Sequence, residues 1–219
     1  MLHFLRFGKE IKDNSCCYTD QASLIILEKL IEINLFCYTY VMKIGIFGSS
    51  HSNDIETTKQ AGEMGIIIAN KNHEVVTGGG PGYCHTVAMS TIHAGGKSTI
   101  YAVGLNKEDH SVYHDTDLSN YTTTVFQKTY FKEKLSNIDN YWRSLEMISD
   151  IDTAIIIGCR VGTMYEVTIL SGMGKDFFVL ENSGGITGET IKNFIEEGHK
   201  EKSKITFIEN AQELQNYLP

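Results

Sequence analysis

Residues 153–157 read TAIII and are followed at once by GCRVGTMYE, residues 158–166, and this stretch decides the fold. The apolar, β-branched run is typical of a buried strand. Gly158 and Gly162 allow a tight turn and a close approach of the backbone to a ligand. Thr163 is a candidate cap for the helix that follows. The stretch therefore predicts a strand that ends where a helix begins.

The junction between this strand and its helix is a candidate phosphate site. The first N–H groups of a helix have no partner within the helix and carry partial positive charge, so they favour an anion. Glu166 follows Thr163 by three residues and has two interpretations. Its carboxylate either closes a capping box with Thr163 or faces the same ligand.

The same rhythm of strand and helix continues on both sides of the junction. Strand-like runs alternate with helix-like stretches from Lys43 to the end of the chain. Such alternation predicts an α/β fold, a doubly wound and mostly parallel sheet of the Rossmann-like type. The predicted strands are Ile44–Phe47, Glu74–Thr77, Ser98–Val103, Thr123–Gln127, Asp152–Ile157, Phe177–Leu180 and Ile205–Ile208.

The first forty-one residues differ from this pattern. Their apolar run, residues 24–40, is interrupted by charged side chains and suits an amphipathic helix better than a membrane span or a signal peptide. We therefore expect residues 1–41 to be a helical extension, and residues 42–219 to form the Rossmann-like domain. One interpretation is that the extension precedes the true start codon.

Two further glycine-containing loops follow predicted strands. They are Thr77–Gly82, which reads TGGGPG, and 48–51, which reads GSSH. A short turn between a strand and a helix often requires glycine for steric reasons alone, which explains any one of these loops. Three such loops at the carboxyl edge of one parallel sheet favour a nucleotide held by backbone N–H groups. The predicted ligand-binding residues are Gly48, Ser49, Gly79, Gly80, Gly82, Gly158, Arg160, Gly162 and Thr163.

Net charge and the patterns of cysteine and histidine argue against several classes of binding partner. With 19 Lys plus Arg against 27 Asp plus Glu the net charge is -8, which opposes general binding to nucleic-acid backbone. The five cysteines form no CxxC pair, and the eight histidines form no HExxH pattern. We therefore expect a cytoplasmic protein with no metal, no cofactor, no nucleic-acid partner and no membrane partner, which binds a nucleotide-like small molecule.

The glycine loops resemble those of a known family. Thr77–Gly82 matches the GGGPG loop of the LOG-type Rossmann-like proteins, which are also called possible lysine decarboxylases. Gly162, Thr163 and Glu166 match the later PGGxGTxxE signature, and Arg143 with Met147 matches an RKxxM sequence. The resemblance spans roughly residues 43–180.

The chain departs from this family at several motif positions. Gly158, Cys159 and Arg160 replace the proline and two glycines of the later signature, and Ser144 replaces a lysine. Tyr83, Cys84 and His85 replace a common Ile-Met-Glu. Arg160 inside the phosphate loop would either clash with a substrate or bind it more tightly.

The resemblance implies a phosphoribohydrolase that cleaves the N-glycosidic bond of a nucleoside 5′-monophosphate without a metal. Glu166 is then the catalytic carboxylate that stabilises an oxocarbenium-like transition state, and Arg143 fixes the ligand or supports Glu166. We expect Asp139 to cap the helix that carries Arg143. This start of the helix would place Arg143 and Glu166 at the same edge of the sheet. The altered loop favours the alternative, a non-catalytic Rossmann-like carrier or sensor.

The resemblance also implies a homodimer. Four apolar or aromatic positions on the helix of Arg143 are a candidate for the shared patch, although packing into the core explains them equally well. These positions are Tyr141, Trp142, Leu145 and Ile148.

Overall fold

A computed structural model describes residue 29 and residues 40–51, 54–186, 188–198 and 202–219. Residues Val41–Pro219 form a compact unit. The predicted N-terminal helix lies almost entirely outside the described residues.

In the described part of the chain, seven parallel strands form one sheet in the order β4-β3-β2-β1-β5-β6-β7. The strands are β1 (Lys43–Gly48), β2 (Glu74–Thr77), β3 (Lys97–Ala102), β4 (Thr123–Phe126), β5 (Thr153–Ile157), β6 (Phe177–Leu180) and β7 (Ile205–Ile208). The central pair is β1 and β5, in which Ile44 lies opposite Thr153 and Gly48 opposite Ile157.

Helices connect the strands, as parallel pairing requires. They are α1 (Ile55–Asn70), α2 (Tyr83–His93), α3 (Lys107–Ser111), α4 (Asn137–Asp150), α5 (Val161–Met173) and α6 (Gly188–Glu197). Short 3-10 helices cover Leu118–Asn120 and Ala211–Asn216.

The core has two layers because both faces of the sheet are covered. All five residues of β5 are buried. Ile155 and Ile157 pack on one face with α1 and α2, while Ala154 and Ile156 pack on the other with α4, α5 and α6. This alternation follows from the two-residue period of a strand. The predicted doubly wound α/β fold is confirmed.

The strand order reverses at β1, and this reversal places the site. The chain runs outward from β1 to β4 on one side, then returns to β5 on the other side of β1. In such sheets the connections after the two central strands separate and leave a crevice at their carboxyl ends. Gly48 brings the two strand ends together, because a Cβ there would overlap the carbonyl oxygen of Ile157.

Candidate functional site

A cavity of about 330 Å³ occupies the crevice at the carboxyl ends of β1, β2 and β5. We call it the Arg143 cavity. Its volume lies within the range of small-molecule sites. The structure brings eight of the sequence-predicted site residues to its wall: Gly48, Ser49, Gly80, Arg143, Arg160, Gly162, Thr163 and Glu166.

The predicted residues Gly79, Gly82 and Gly158 are not among the residues that line this cavity. Gly79 packs against Ile100, and Gly82 lies where the Thr77–Gly82 loop touches the 48–51 loop. Gly158 lines a neighbouring cavity instead. These three glycines therefore shape the loops, while Gly80 and Gly162 border the Arg143 cavity.

Arg143 reaches the cavity from α4. The helix begins at Asn137 with Ser136 as its N-cap, so the expectation that Asp139 is the N-cap is wrong. Asp139 is the third helical residue, and its carboxylate accepts hydrogen bonds from the N–H and the hydroxyl of Ser136. Arg143 consequently lies in the second turn of the helix rather than the first.

The guanidinium of Arg143 is held against the Thr77–Gly82 loop. Its Nη2 donates to Asn140 Oδ1 at 2.7 Å. A Cβ added to Gly78 would overlap the guanidinium, so only glycine at this position leaves room for it. The motif arginine and the glycine loop are therefore parts of one structure.

Arg143 is a buried cation with unused hydrogen-bonding capacity. Its side chain is 8 % exposed, and Nε has no hydrogen-bond partner among the described residues. Burial lowers the pKa of Arg143, while the nearby Glu166 raises it. An unpaired buried donor costs about 1–3 kcal/mol. An anionic ligand would satisfy this donor, so the cavity is suited to receive negative charge.

Glu166 reaches the same cavity from α5, and it does not close a capping box. The helix begins at Val161 with Arg160 at the N-cap position, so Thr163 is inside the first turn and is not the cap. The carboxylate instead accepts a hydrogen bond from Ser144 Oγ, on α4, at 3.1 Å. The capping interpretation of Glu166 is therefore wrong, and its side chain is directed to α4 across the cavity.

Burial raises the pKa of Glu166 to about 7, although Arg143 and the Ser144 hydroxyl oppose this rise. Within the described residues, no ion pair joins Glu166 and Arg143 directly. Both side chains line the cavity, so a ligand there would contact a guanidinium and a carboxyl that titrates near neutral pH.

The start of α5 supplies the third element of the site. The first helical N–H with a partner in the helix is that of Met164, which donates to Arg160 O. Gly162 and Thr163 come before it in the helix, and both residues line the cavity. Arg160 lies beside them, where its Nε donates to Ser49 Oγ at 3.0 Å. This end of the cavity suits a phosphate.

Other residues at the cavity wall were not among the predicted ligand-binding or catalytic residues. Asn140 accepts a hydrogen bond from Arg143, and Ser144 donates one to Glu166, so these two residues orient the charged groups. Their positions, three residues before and one residue after Arg143, are the sequence feature that could have identified them. Tyr141 and Tyr165 border the cavity with their rings in an edge-to-face contact. Cys84 also borders it, and burial raises the pKa of its thiol to about 12.

Two further observations concern partners. Among the described residues, no group of three or more His, Cys, Asp or Glu side chains is arranged to hold a metal ion. No helix in the described part of the chain is long and apolar enough to cross a membrane.

The chain belongs to the SLOG cluster4 family, whose model matches residues 41–215. The matched range covers the whole sheet and the site. No curated protein sequence matches the chain.

Several solved structures share the fold. The molybdenum cofactor binding protein of Rippkaea orientalis aligns with a TM-score of 0.61 at 15 % identity, over 82 % of this chain and 96 % of its own. The molybdenum cofactor carrier protein of Chlamydomonas reinhardtii aligns with a TM-score of 0.57 at 16 % identity, over 80 % and 95 %.

A DNA-processing protein is also similar. DNA processing protein A of Helicobacter pylori, described as binding single-stranded DNA, aligns with a TM-score of 0.60 at 16 % identity, over 84 % of this chain and 82 % of its own. At these identities the likeness shows a common fold alone, and it does not indicate which ligand this chain binds.

Proposed function

We propose that the protein binds a nucleoside 5′-monophosphate in the Arg143 cavity and hydrolyses its N-glycosidic bond, releasing a free base and ribose 5-phosphate. The observation that carries the proposal is the meeting of Arg143 and Glu166 in one cavity with the open start of α5. The resemblance to LOG-type proteins supports the same reaction class.

The spacing along α5 suits this substrate. Thr163 and Glu166 are three residues apart on one helix, so they project from the same face about one turn, or roughly 5 Å, apart. A phosphate at the first-turn N–H groups would place the ribose ring beside Glu166. Arg160 lies at the phosphate end, and its charge adds to that of the helix start.

In the proposed reaction, Glu166 stabilises the positive charge that develops on the ribose and accepts a proton from the attacking water. The water oxygen bonds to the anomeric carbon. The C–N bond breaks, its electron pair leaves with the base, and the base takes up a proton. A carboxyl that titrates near pH 7 is suited to accept a proton at neutral pH.

Incubation of the full chain with a panel of nucleoside monophosphates, with free base measured by chromatography, tests the proposal. Glu166→Gln keeps the size and removes the charge, so turnover should fall by about 100-fold or more while ligand affinity stays within roughly twofold. Glu189→Gln, on α6, is the matched control and should retain full turnover. Release of no base from any nucleotide at high protein concentration would reject the hydrolase.

A second candidate is a carrier or sensor that holds a nucleotide-like or cofactor ligand without cleaving it. Arg160 favours this candidate, because its side chain replaces a glycine of the LOG signature and is hydrogen-bonded across the cavity to Ser49. The similar proteins described as a molybdenum cofactor binding protein and a molybdenum cofactor carrier protein support it as well. Tight binding of an intact ligand, weakened by Arg143→Ala without any turnover in the wild type, would favour the carrier.

The proposed assembly is a homodimer through the first half of α4. Tyr141 and Trp142 of the predicted patch are exposed, and Phe131 packs beside Trp142 with ring centroids 5.6 Å apart. Ile148 is fully buried in the core, so it is not part of an exposed patch.

A further inference from the structure

A second cavity of about 280 Å³ lies beside the Arg143 cavity, at the carboxyl ends of β1, β5 and β6. We call it the Tyr83 cavity. Ser49 and Arg160 line both cavities. The two spaces therefore meet at a shared wall that carries a positive charge.

The guanidinium of Arg160 is free to bind a ligand at this wall. Its Nε donates to Ser49 Oγ at 3.0 Å. Its two terminal nitrogens make no hydrogen bond or ion pair with any other residue that the structure describes. Because the side chain is exposed, an anion at the wall would gain two charged donors without displacing a protein partner.

Tyr83 supplies a polar group to the second cavity. The residue is 3 % exposed and lines the cavity, and its ring lies against Gly158. Its hydroxyl can both donate and accept a hydrogen bond, so it can pair with a polar group of a ligand in this cavity.

The loops beside Tyr83 are held in place by hydrogen bonds. Gly158 N–H donates to Ser183 Oγ at 2.9 Å, and that hydroxyl donates to Leu180 O at 2.6 Å. Ile186 N–H donates to Cys159 O at 2.7 Å. These bonds fix the loop after β6 to the loop after β5. The second cavity is therefore part of the folded architecture.

The charges in the Tyr83 cavity indicate what it holds. Apart from Arg160 at the shared wall, its charged side chain is Asp54, whose carboxylate caps α1 by accepting a hydrogen bond from Thr57 N–H at 2.6 Å. A carboxylate opposes a phosphate inside the cavity. Asn182 and Tyr83 offer uncharged donors and acceptors. The interior thus suits hydroxyl groups and ring nitrogens, with the anion outside at Arg160.

We propose that the Tyr83 cavity is a second ligand compartment, and that the protein binds a dinucleotide-type ligand whose pyrophosphate lies at Arg160, at the wall that the two cavities share. One end occupies the Arg143 cavity and the other the Tyr83 cavity. The proposal rests on the proposed function in that one end is the nucleotide of the first cavity.

The two glycines Gly184 and Gly95 allow a matched test. Gly184 lines the Tyr83 cavity, and Gly95 follows α2. Both have φ of +82°, and a Cβ added to either meets no described atom within 4 Å. Asparagine tolerates this backbone region better than other side chains do. Gly184→Asn should fill the cavity, while Gly95→Asn imposes the same backbone change elsewhere.

The experiment measures the affinity of the full chain for AMP, ADP and ADP-ribose by equilibrium dialysis, with intact ligand quantified by mass spectrometry. ADP controls for the added charge, and ADP-ribose adds a sugar for the second compartment. We expect ADP-ribose to bind about tenfold more tightly than ADP. Gly184→Asn should abolish this gain and leave AMP and ADP unchanged, while Gly95→Asn changes none of the three. Tyr83→Phe should reduce the gain about threefold.

The outcomes separate the two proposals. If AMP binds and Arg143→Ala weakens it, but ADP-ribose binds no more tightly than ADP, the second compartment is rejected and the nucleotide site stands. Equal loss of all three ligands in Gly184→Asn, or equal effects of the two glycine variants, also rejects it. If ADP-ribose binds with the expected Gly184 sensitivity but no monophosphate is cleaved, the hydrolase is rejected and the compartment stands. Absence of binding by all three rejects the second compartment, while the panel of nucleoside monophosphates decides the hydrolase separately.

Discussion

At the residue scale, two groups on α4 influence the pKa of Glu166. Arg143 and the Ser144 hydroxyl each favour its ionised form and so oppose the effect of burial on its pKa. Ser144→Ala should therefore raise the pKa of Glu166 above about 7, by about one unit or less. A carbon-detected NMR titration of the carboxyl measures this shift whether or not the protein is an enzyme.

The matched control for this prediction is Ser149→Ala. Ser149 lies on the same helix, but its hydroxyl donates to the carbonyl of Glu146. The pKa of Glu166 should be unaffected. In the hydrolase, the acidic limb of the kcat/KM profile should move to higher pH with Ser144→Ala, because less of the carboxyl is ionised at each pH. An unchanged titration would mean that Ser144 does not orient Glu166 in solution.

Burial of Glu166 also links folding to pH. Its pKa in the folded protein, about 7, lies above its ordinary value of 4.5. The folded state therefore binds this proton more tightly than the unfolded state, and the contribution to stability falls as pH rises from about 4.5 to 7. Glu166→Gln removes this titration. The free energy of unfolding of the variant minus that of the wild type should increase from pH 5 to pH 8, on the order of 2 kcal/mol.

Urea unfolding at the two pH values checks this expectation. The informative quantity is the change with pH of the difference in unfolding free energy between variant and wild type. Glu166→Gln also alters the interaction with Arg143, but that contribution to the difference is the same at both pH values. A difference that is constant between pH 5 and pH 8 would show that Glu166 titrates at its ordinary value. In that case its proposed role as a base near neutral pH would lose its support.

At the scale of elements, the sequence predicted the strands well and the helix starts poorly. The β-branched runs predict each strand because a strand covered on both faces is apolar throughout, as in Thr153–Ile157. A helix start depends on backbone geometry and on distant partners. Arg160 is an unusual N-cap, so nothing local indicated that α5 begins before Thr163.

In the candidate site, too, features that are local in sequence were predicted and those that depend on the fold were not. The glycine loops, Arg143 and Glu166 were predicted because their motifs are contiguous in sequence. The contact between Ser144 and Glu166 joins two helices across the cavity, and the fold alone brings them together. The burial of Ile148 likewise depends on which face of α4 packs on the sheet.

The start of α4 positions Arg143, and Asp139 holds that start. The Asp139 carboxylate is fully buried and accepts hydrogen bonds from the N–H groups of Ser136 and Phe131 at 2.8 and 2.7 Å. Asp139→Ala should lower stability by about 2 kcal/mol, since it leaves these partly buried donors without the carboxylate. It should also weaken binding in the Arg143 cavity, because the helix that carries the guanidinium loses its anchor.

Calorimetry and ligand titration together check the Asp139 prediction. Asp117→Ala is the control, since Asp117 caps the short 3-10 helix Leu118–Asn120 at an exposed position. The control should lower stability by less and leave ligand affinity unchanged. Loss of stability in Asp139→Ala with unaltered ligand affinity would separate the capping box from the site.

At the scale of the whole molecule, net charge and surface composition govern assembly. The net charge of -8 opposes general binding to nucleic acids, although DNA processing protein A shares the fold. The exposed aromatic side chains on and beside α4 are a different kind of surface. Clustered exposed aromatics often mark a site of protein association.

The last prediction concerns that surface, which includes Trp142, 38 % exposed, and Tyr141, 51 % exposed. We expect the protein to be a dimer at micromolar concentration, with α4 of one protomer against its partner. Trp142→Glu should shift it to monomer, because a carboxylate buried in an apolar interface is strongly unfavourable. The control is Phe194→Glu on α6, where the phenylalanine is 47 % exposed and outside the patch. Sedimentation equilibrium distinguishes the outcomes: a monomeric wild type removes the dimer, and equal effects of the two variants remove α4 as its interface.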